Sequence, residues 1–273
     1  MKRWTRWSVI AGIGTLVAAM VLPLYWAIVA SFTPEAQLFA APALFPATLV
    51  LDHYRALFVE RNFWLPIRNS LIVAGATTAF CVVLGAPCAY ALARLRFRWN
   101  AQILGVILAV TMFPQIAIVS PLFLLLRALW LINTYPGLIL PYLTFAMPLT
   151  VWLLVGFFRQ LPRELEEAAM MDGASRLRAF WEIILPLSLP GLATTAILTF
   201  VYCWNEFLFA LAFTLGPERQ TVPVALALFR GQYQVPWGQI LAAATVATLP
   251  VAGVILLCQR RIIQGLVTGA VKG

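Results

Sequence analysis

The chain has 273 residues, 62% of them hydrophobic and 11% charged, and a formal net charge of +9. Soluble domains carry about 25% charged residues, so this chain cannot cover a water-facing surface and reads as an integral membrane protein. The basic excess does not describe a nucleic-acid-binding face, because the arginines and lysines stand at the ends of apolar runs, where they set membrane orientation.

Six long uncharged runs follow one another, at 7–34, 69–93, 99–126, 128–158, 183–205 and 231–259. Each exceeds the roughly 20 residues needed to cross a hydrocarbon core. Trimmed to spans they cover about 8–32, 69–93, 101–126, 137–158, 187–213 and 239–259, the fifth continuing past Glu206 into "FLFALAFTLGP". The opening "MKRWTRW" imitates a signal peptide, but the run behind it outlasts an h-region of about 7–15 residues. It is expected to stay as the first span. The run 36–51 is short and holds Pro42 and Pro46, so it reads as loop. The expected architecture is a single all-α transmembrane domain with six helices over 1–273.

Nineteen basic residues orient it. With six spans and a cytoplasmic N-terminus, thirteen fall inside (residues 2, 3, 6, 94, 96, 98, 159, 163, 176, 178, 260, 261 and 272) and six outside. Basic residues prefer the cytoplasmic side, so both termini are expected there. The segment 160–186 joins them, and 33–68 and 214–238 become external loops. Pro114, Pro121, Pro141, Pro148 and Pro250 lie within the runs, and Gly75, Ala79 and Gly85 give the second a small-residue face. Kinks and close helix approach fit a transporter and fit ordinary membrane packing equally. Cys81, Cys88, Cys203 and Cys258 lie in apolar runs without metal spacing and read as small buried hydrophobes. His53 is the single histidine, and no metal site is expected.

One stretch is out of character. "EEAAMMDGASRLRAFWEIILPLSLPG", 166–191, holds Glu166, Glu167, Asp172, Arg176, Arg178 and Glu182. From Pro162 it looks helical, with Glu164, Glu166 and Glu167 at the end where negative charge suits the helix dipole. Leu165, Ala168 and Ala169 make a small apolar stripe. Gly173 supplies a break or left-handed turn, and Ser175 is a good N-cap for a second helix. There Leu177, Phe180, Trp181 and Ile184 share a face, and Pro186 closes the unit. A helix lying on the membrane accounts for Phe180 and Trp181 but not for the acidic first helix, which anionic lipid repels. Docking into a protein cleft accounts for both charge and small residues.

Glu167-Ala168-Ala169, then Gly173, then Ile183-Ile184-Leu185-Pro186 match the EAA loop of permease subunits of binding-protein-dependent ABC importers. "AYALARLRF" at 89–97, "MFPQ" at 112–115, "LPRELEEAAMMDGA" at 161–174, "WNEF" at 204–207 and "GLVTGAVKG" at 265–273 extend the resemblance over nearly the whole chain. It is most similar to the smaller permease of maltose- and trehalose-type importers. The resemblance implies the type I importer permease fold in a bacterial or archaeal cytoplasmic membrane. It also implies a homologous second permease as heterodimer partner, an ABC ATPase dimer, and an extracytoplasmic solute-binding protein. ATP and magnesium would sit on the ATPase; this chain lacks G-x-x-x-x-G-K-[ST] and is expected to bind no cofactor and to be no enzyme. Glu167, Ala168, Ala169 and Gly173 would be contact and turn residues of a coupling helix, joined by Arg176, Arg178 and Glu182 from position alone.

Glu206 is the carboxylate inside a predicted span. Such groups usually face a bundle interior or water, so Asn205 and Glu206 either line the pathway, with Tyr202 and Trp204 as sugar-stacking surfaces, or Glu206 makes a structural hydrogen bond near the outer surface. The 216–238 segment, with "TVPVALALFRGQYQVPWG", resembles the part of the family that faces the binding protein. The expected solute is a di- or oligosaccharide such as trehalose or maltose, with glycerol 3-phosphate or another polyol or sugar derivative as the alternative. A proton-coupled secondary transporter working through Glu206, or a membrane-embedded enzyme, leaves the charged loop unexplained.

Overall fold

The structure is a computed structural model that describes residues 3–39, 45, 48–95, 98–229 and 235–270. Among the described residues every regular element is a helix. They run α1 (Arg3–Ser31), α2 (Asp52–Arg55), α3 (Trp64–Arg94), α4 (Asn100–Ala109), α5 (Gln115–Ala128), α6 (Tyr135–Gln160), α7 (Glu164–Met171), α8 (Arg176–Ala179), α9 (Leu185–Leu187), α10 (Leu189–Trp204), α11 (Leu208–Phe213), α12 (Val222–Ala227) and α13 (Trp237–Ala270). Four helical stretches, Trp7–Ser31, Trp64–Arg94, Tyr135–Gln160 and Trp237–Leu257, are long and apolar enough to cross a membrane. The count rises to six if each of two bent helix pairs forms one span.

One bend falls at Pro114, among the prolines read as kinks, and the other at the start of 187–213. α4 and its short 3-10 extension meet α5 at 89°. Phe113 is extended (φ −74°, ψ 129°) just before Pro114, as expected for a residue that proline pushes out of the helical region. The second pair turns by 74° between Leu187 and Leu189. Ser188 leaves the helical register there at φ −87°, ψ 1°. Pro186 therefore does not close the preceding unit. It lies within α9, directly after the π-helical turn, and the run continues to Leu187. Beyond the bend α10 stops at Trp204, and α11 restarts at Leu208.

The chain divides into two compact units, Met1–Trp64 with Ala225–Pro250, and Leu65–Val224 with Val251–Gly273. In the first, the Glu35 carboxylate accepts from Trp237 N at 2.9 Å and Gly238 N at 3.0 Å, capping the start of α13. The segment expected to be an external loop holds α2 and a π-helical turn, Ala56–Glu60. His53 is buried, with Nε2 2.9 Å from the Thr33 carbonyl.

The second unit is built on α3, α6 and α10. Buried Gly85 faces Thr150 and Val151 of α6, where an added Cβ would lie 3.4 Å from Thr150 Cγ2. Small residues permit that close approach. Thr150 and Thr199 share a hydroxyl hydrogen bond of 2.9 Å between α6 and α10. α6 begins cleanly because the Thr134 hydroxyl accepts from Gly137 N and Pro136 fills the first turn. Cys81 and Cys203 are buried, but Cys88 is exposed, which corrects its reading as a buried hydrophobe. The side chain of Cys258 lies outside the described residues, as do 96–97 of the "AYALARLRF" motif, 230–234 of the 214–238 loop, and the end of "GLVTGAVKG".

Candidate functional site

The charged stretch folds into two helical arms around a glycine. α7 carries Glu164, Glu166 and Glu167 in its first turn. It ends in a Schellman motif, with Gly173 N donating to Met170 O at 3.1 Å and Ala174 N to Ala169 O at 3.0 Å. Gly173 takes φ +87°, a backbone region open to glycine and strained for other residues. Ser175 then caps α8, its hydroxyl accepting from Arg178 N at 3.3 Å. Glu167 and Ala168 lie on the exposed side of α7, and Ala169 is buried beneath them.

The apolar stripe expected for the second arm is not one face. A π-helical turn, Phe180–Ile184, follows α8 directly. Ala179, Phe180 and Ile184 are buried, whereas Leu177 and Trp181 stay 68% and 54% exposed. Leu165 and Ala168 are likewise exposed, and only Ala169 of their predicted stripe is buried. The loop thus keeps an apolar outer face as well as an inner one. On that outer face Arg178 Nε contacts both Glu182 oxygens at 2.9 Å, an exposed i,i+4 pair.

The inner face is anchored to α3 and α6. Arg94, at the end of α3, stands with Nε 3.0 Å from Glu166 Oε1 and donates from Nη2 to Leu161 O at 2.7 Å. The Tyr90 hydroxyl donates to Glu166 Oε2 at 3.3 Å. The Tyr90 ring lies 4.7 Å from Phe180 and 6.1 Å from Phe158, within a buried cluster that includes Leu154 and Ile184. Beside this anchor is an open hollow of about 520 Å³, with Arg94, Arg163, Glu166, Glu167 and Arg176 in its walls. The arrangement can present a charged, two-armed knob to a partner and hold its root rigidly.

The other predicted residues cluster at the α10–α11 break. Glu206 is 9% exposed, and its Oε1 and Oε2 accept from Phe209 N at 2.8 Å and Ala210 N at 3.1 Å. It therefore makes the structural hydrogen bonds weighed as one of its two readings. Asn205 is exposed, its Nδ2 donating to Val201 O at 2.8 Å. Trp204 is 4% exposed and stacks on Phe200 at 5.7 Å, so its ring is a packing element of this chain and offers no open face for a sugar. Tyr202 is half-buried, with its hydroxyl accepting from Gln115 Nε2 at 3.0 Å. That bond joins the α10 end to the bend at Pro114. Among the described residues, no group of three or more His, Cys, Asp or Glu is placed to hold a metal ion.

Tyr90, Arg94 and Gln115 are the residues that sequence reasoning passed over. Arg94 carried a signal, being the first charge after an uncharged run on the side expected to hold Glu166. Gln115 stood in the quoted "MFPQ" motif next to a proline.

Comparison with known proteins identifies the family and the fold. The chain is 44% identical over its full length to a trehalose transport system permease protein, SugB, of Mycobacterium tuberculosis (strain CDC 1551 / Oshkosh), covering 99% of that protein. It is 40% identical to the trehalose/maltose transport system permease protein MalG of Thermococcus litoralis, over 96% of this chain and 95% of that one. A sulfoquinovosyl glycerol transport system permease, SmoH of Agrobacterium fabrum, is also 40% identical, over 93% and 89%. A chain in the crystal structure of a bacterial ABC transporter that imports alginate superposes with a TM-score of 0.80 at 22% identity, over 95% of this chain and 98% of that one, which shows the shared fold. Residues 82–268 match the model of the binding-protein-dependent transport system inner membrane component, and the chain belongs to that permease family.

Proposed function

We propose that the chain is the permease subunit of an ATP-driven importer that takes up a di- or oligosaccharide from an extracytoplasmic binding protein. The observation that carries the reading is the α7–Gly173–α8 knob. It leaves Glu167 and Ala168 exposed on a helix whose end is fixed by a glycine turn and whose root is pinned by Arg94. On this reading the knob lies in the cytoplasm with both termini and sits in a groove of an ABC ATPase. Closure of the ATPase pair moves it and switches access between the two membrane faces. A homologous second permease completes the pathway, and the 216–238 segment faces the binding protein.

The sugar reading is supported by relatives whose names specify trehalose, maltose and sulfoquinovosyl glycerol. Engagement of both Glu206 oxygens by backbone N–H groups speaks against a proton carrier at that position. The test is to co-express the chain with its ATPase, partner permease and binding protein, and to measure ATP-dependent sugar uptake in proteoliposomes. Glu167→Lys is expected to abolish ATPase association while leaving the helical content unchanged. Full uptake by that variant with the ATPase bound would defeat the coupling role of Glu167. Calorimetry of the binding protein against trehalose, maltose and glycerol 3-phosphate would decide the solute.

A further inference from the structure

We infer that Arg94 and Glu166 form a positioning strut that passes motion of the α7–α8 loop to α3. The inference rests on the coupling reading above and adds the route by which force leaves the loop.

Its geometric basis is the convergence of both arms on the last turns of α3. Arg94 is nearly buried and faces Glu166 at 3.0 Å, and Glu166 is itself only 14% exposed at its side chain. The same guanidinium donates to Leu161 O, where the chain has just left α6. One group therefore grips the root of the loop and its first helix together. Tyr90, one turn earlier on α3, gives its hydroxyl to Glu166 and its ring to Phe180 of the second arm.

Glu166 and Glu167 are neighbours, so they point about 100° apart around an α-helix. One faces inward to α3 and the other outward, and Glu167 is exposed. A protein docked on the outer side that displaces α7 must either carry α3 with it or part a nearly buried ion pair. Parting it leaves an uncompensated charge. Apolar contacts such as Tyr90 with Phe180 are non-directional and tolerate sliding. A nearly buried charge pair backed by the directional Nη2 bond to Leu161 O does not.

The experiment uses the whole transporter in proteoliposomes with loaded binding protein, and reads solute moved per ATP hydrolysed. The variants are Glu166→Gln, Arg94→Gln and the charge-swapped pair Arg94→Glu with Glu166→Arg. Each single change is expected to keep the ATPase bound and to lower the transport-to-hydrolysis ratio about 5-fold, mid-range for residues on a coupling network. The swap is expected to recover part of that loss, since it restores the ion pair but not the bond to Leu161 O. Ratios within about 2-fold of wild type in both single variants, below the effect a coupling residue should have, would overturn the strut. A proportional loss of uptake, hydrolysis and subunit association, without rescue by the swap, would overturn it too, because the pair would then only maintain the fold. Failure of the wild-type chain to bind any ATPase subunit would instead remove the coupling reading, and the strut with it.

Discussion

At the α7–α8 turn a helix ends in the open, and at the α10–α11 break one ends in the interior of its unit. The first closes α7 on backbone bonds and opens α8 on the Ser175 hydroxyl. Gly173 and Ala174 return their N–H groups to the α7 carbonyls, and the glutamates at the start of α7 are left for side-chain partners. The second places Glu206, buried, where both carboxylate oxygens meet the N–H groups of Phe209 and Ala210. Every helix start leaves orphan N–H groups. At the exposed turn the Ser175 hydroxyl serves one such group, whereas the buried break uses a carboxylate that serves two. Two glutamates thus divide: Glu206 seals a helix start, and Glu166 ties one helix to another.

Truncating the sealed break should have the larger effect on stability. Glu206→Ala strands two buried donors and removes a cap, which should destabilise the chain by about 2–4 kcal/mol, read as thermal unfolding in detergent. Glu206→Gln keeps one acceptor oxygen and should cost about 1 kcal/mol. An alanine variant that unfolds like wild type but no longer transports would break the comparison and return Glu206 to the pathway. At the open turn, Gly173→Ala meets no atom within 4 Å, so backbone strain alone remains, about 1–2 kcal/mol. Because the turn is peripheral, the loss should appear as faster amide exchange over 164–187 and not as a lower global midpoint. Gly173→Pro fixes φ near −65° and removes the N–H bonded to Met170 O. It should free the loop from the ATPase while the spans stay folded. Normal exchange and normal coupling in both variants would mean that the turn has no function.

Local features were legible in the sequence. Gly173 and Ser175 announced the turn and cap, because a left-handed glycine and a serine N-cap depend on near neighbours alone. The uncharged runs announced where long apolar helices lie. The α4–α5 bend was readable in principle from Pro114, yet proline tolerance in membrane helices conceals whether a kink will be mild or a right angle. The Phe180–Ile184 π turn was not readable, since a wide turn depends on which side chains the rest of the unit buries. Arg94 and Glu166 meet across 72 positions of chain, and no periodicity within either segment reports that pairing. The Glu206 cap is a local i to i+3 and i+4 contact. It was hidden because the apolar run around it suggested an unbroken span.

The smallest effect belongs to Arg178, and it separates two uses of charge on the loop. Arg178 and Glu182 are both more than half exposed at their side chains, paired at i,i+4 across the junction of α8 and the π turn. Such a pair is worth about 0.3–0.5 kcal/mol and weakens with salt. If it only staples the junction, Arg178→Ala should leave the thermal midpoint and the transport-to-hydrolysis ratio nearly unchanged, and high salt should erase what difference remains. A drop in coupling as large as that expected for Glu166→Gln would assign Arg178 to the ATPase contact. The outer face would then work through its charges as well as through Leu177 and Trp181. The salt dependence distinguishes the cases, because a pair shielded under a docked partner is screened far less than one in open water.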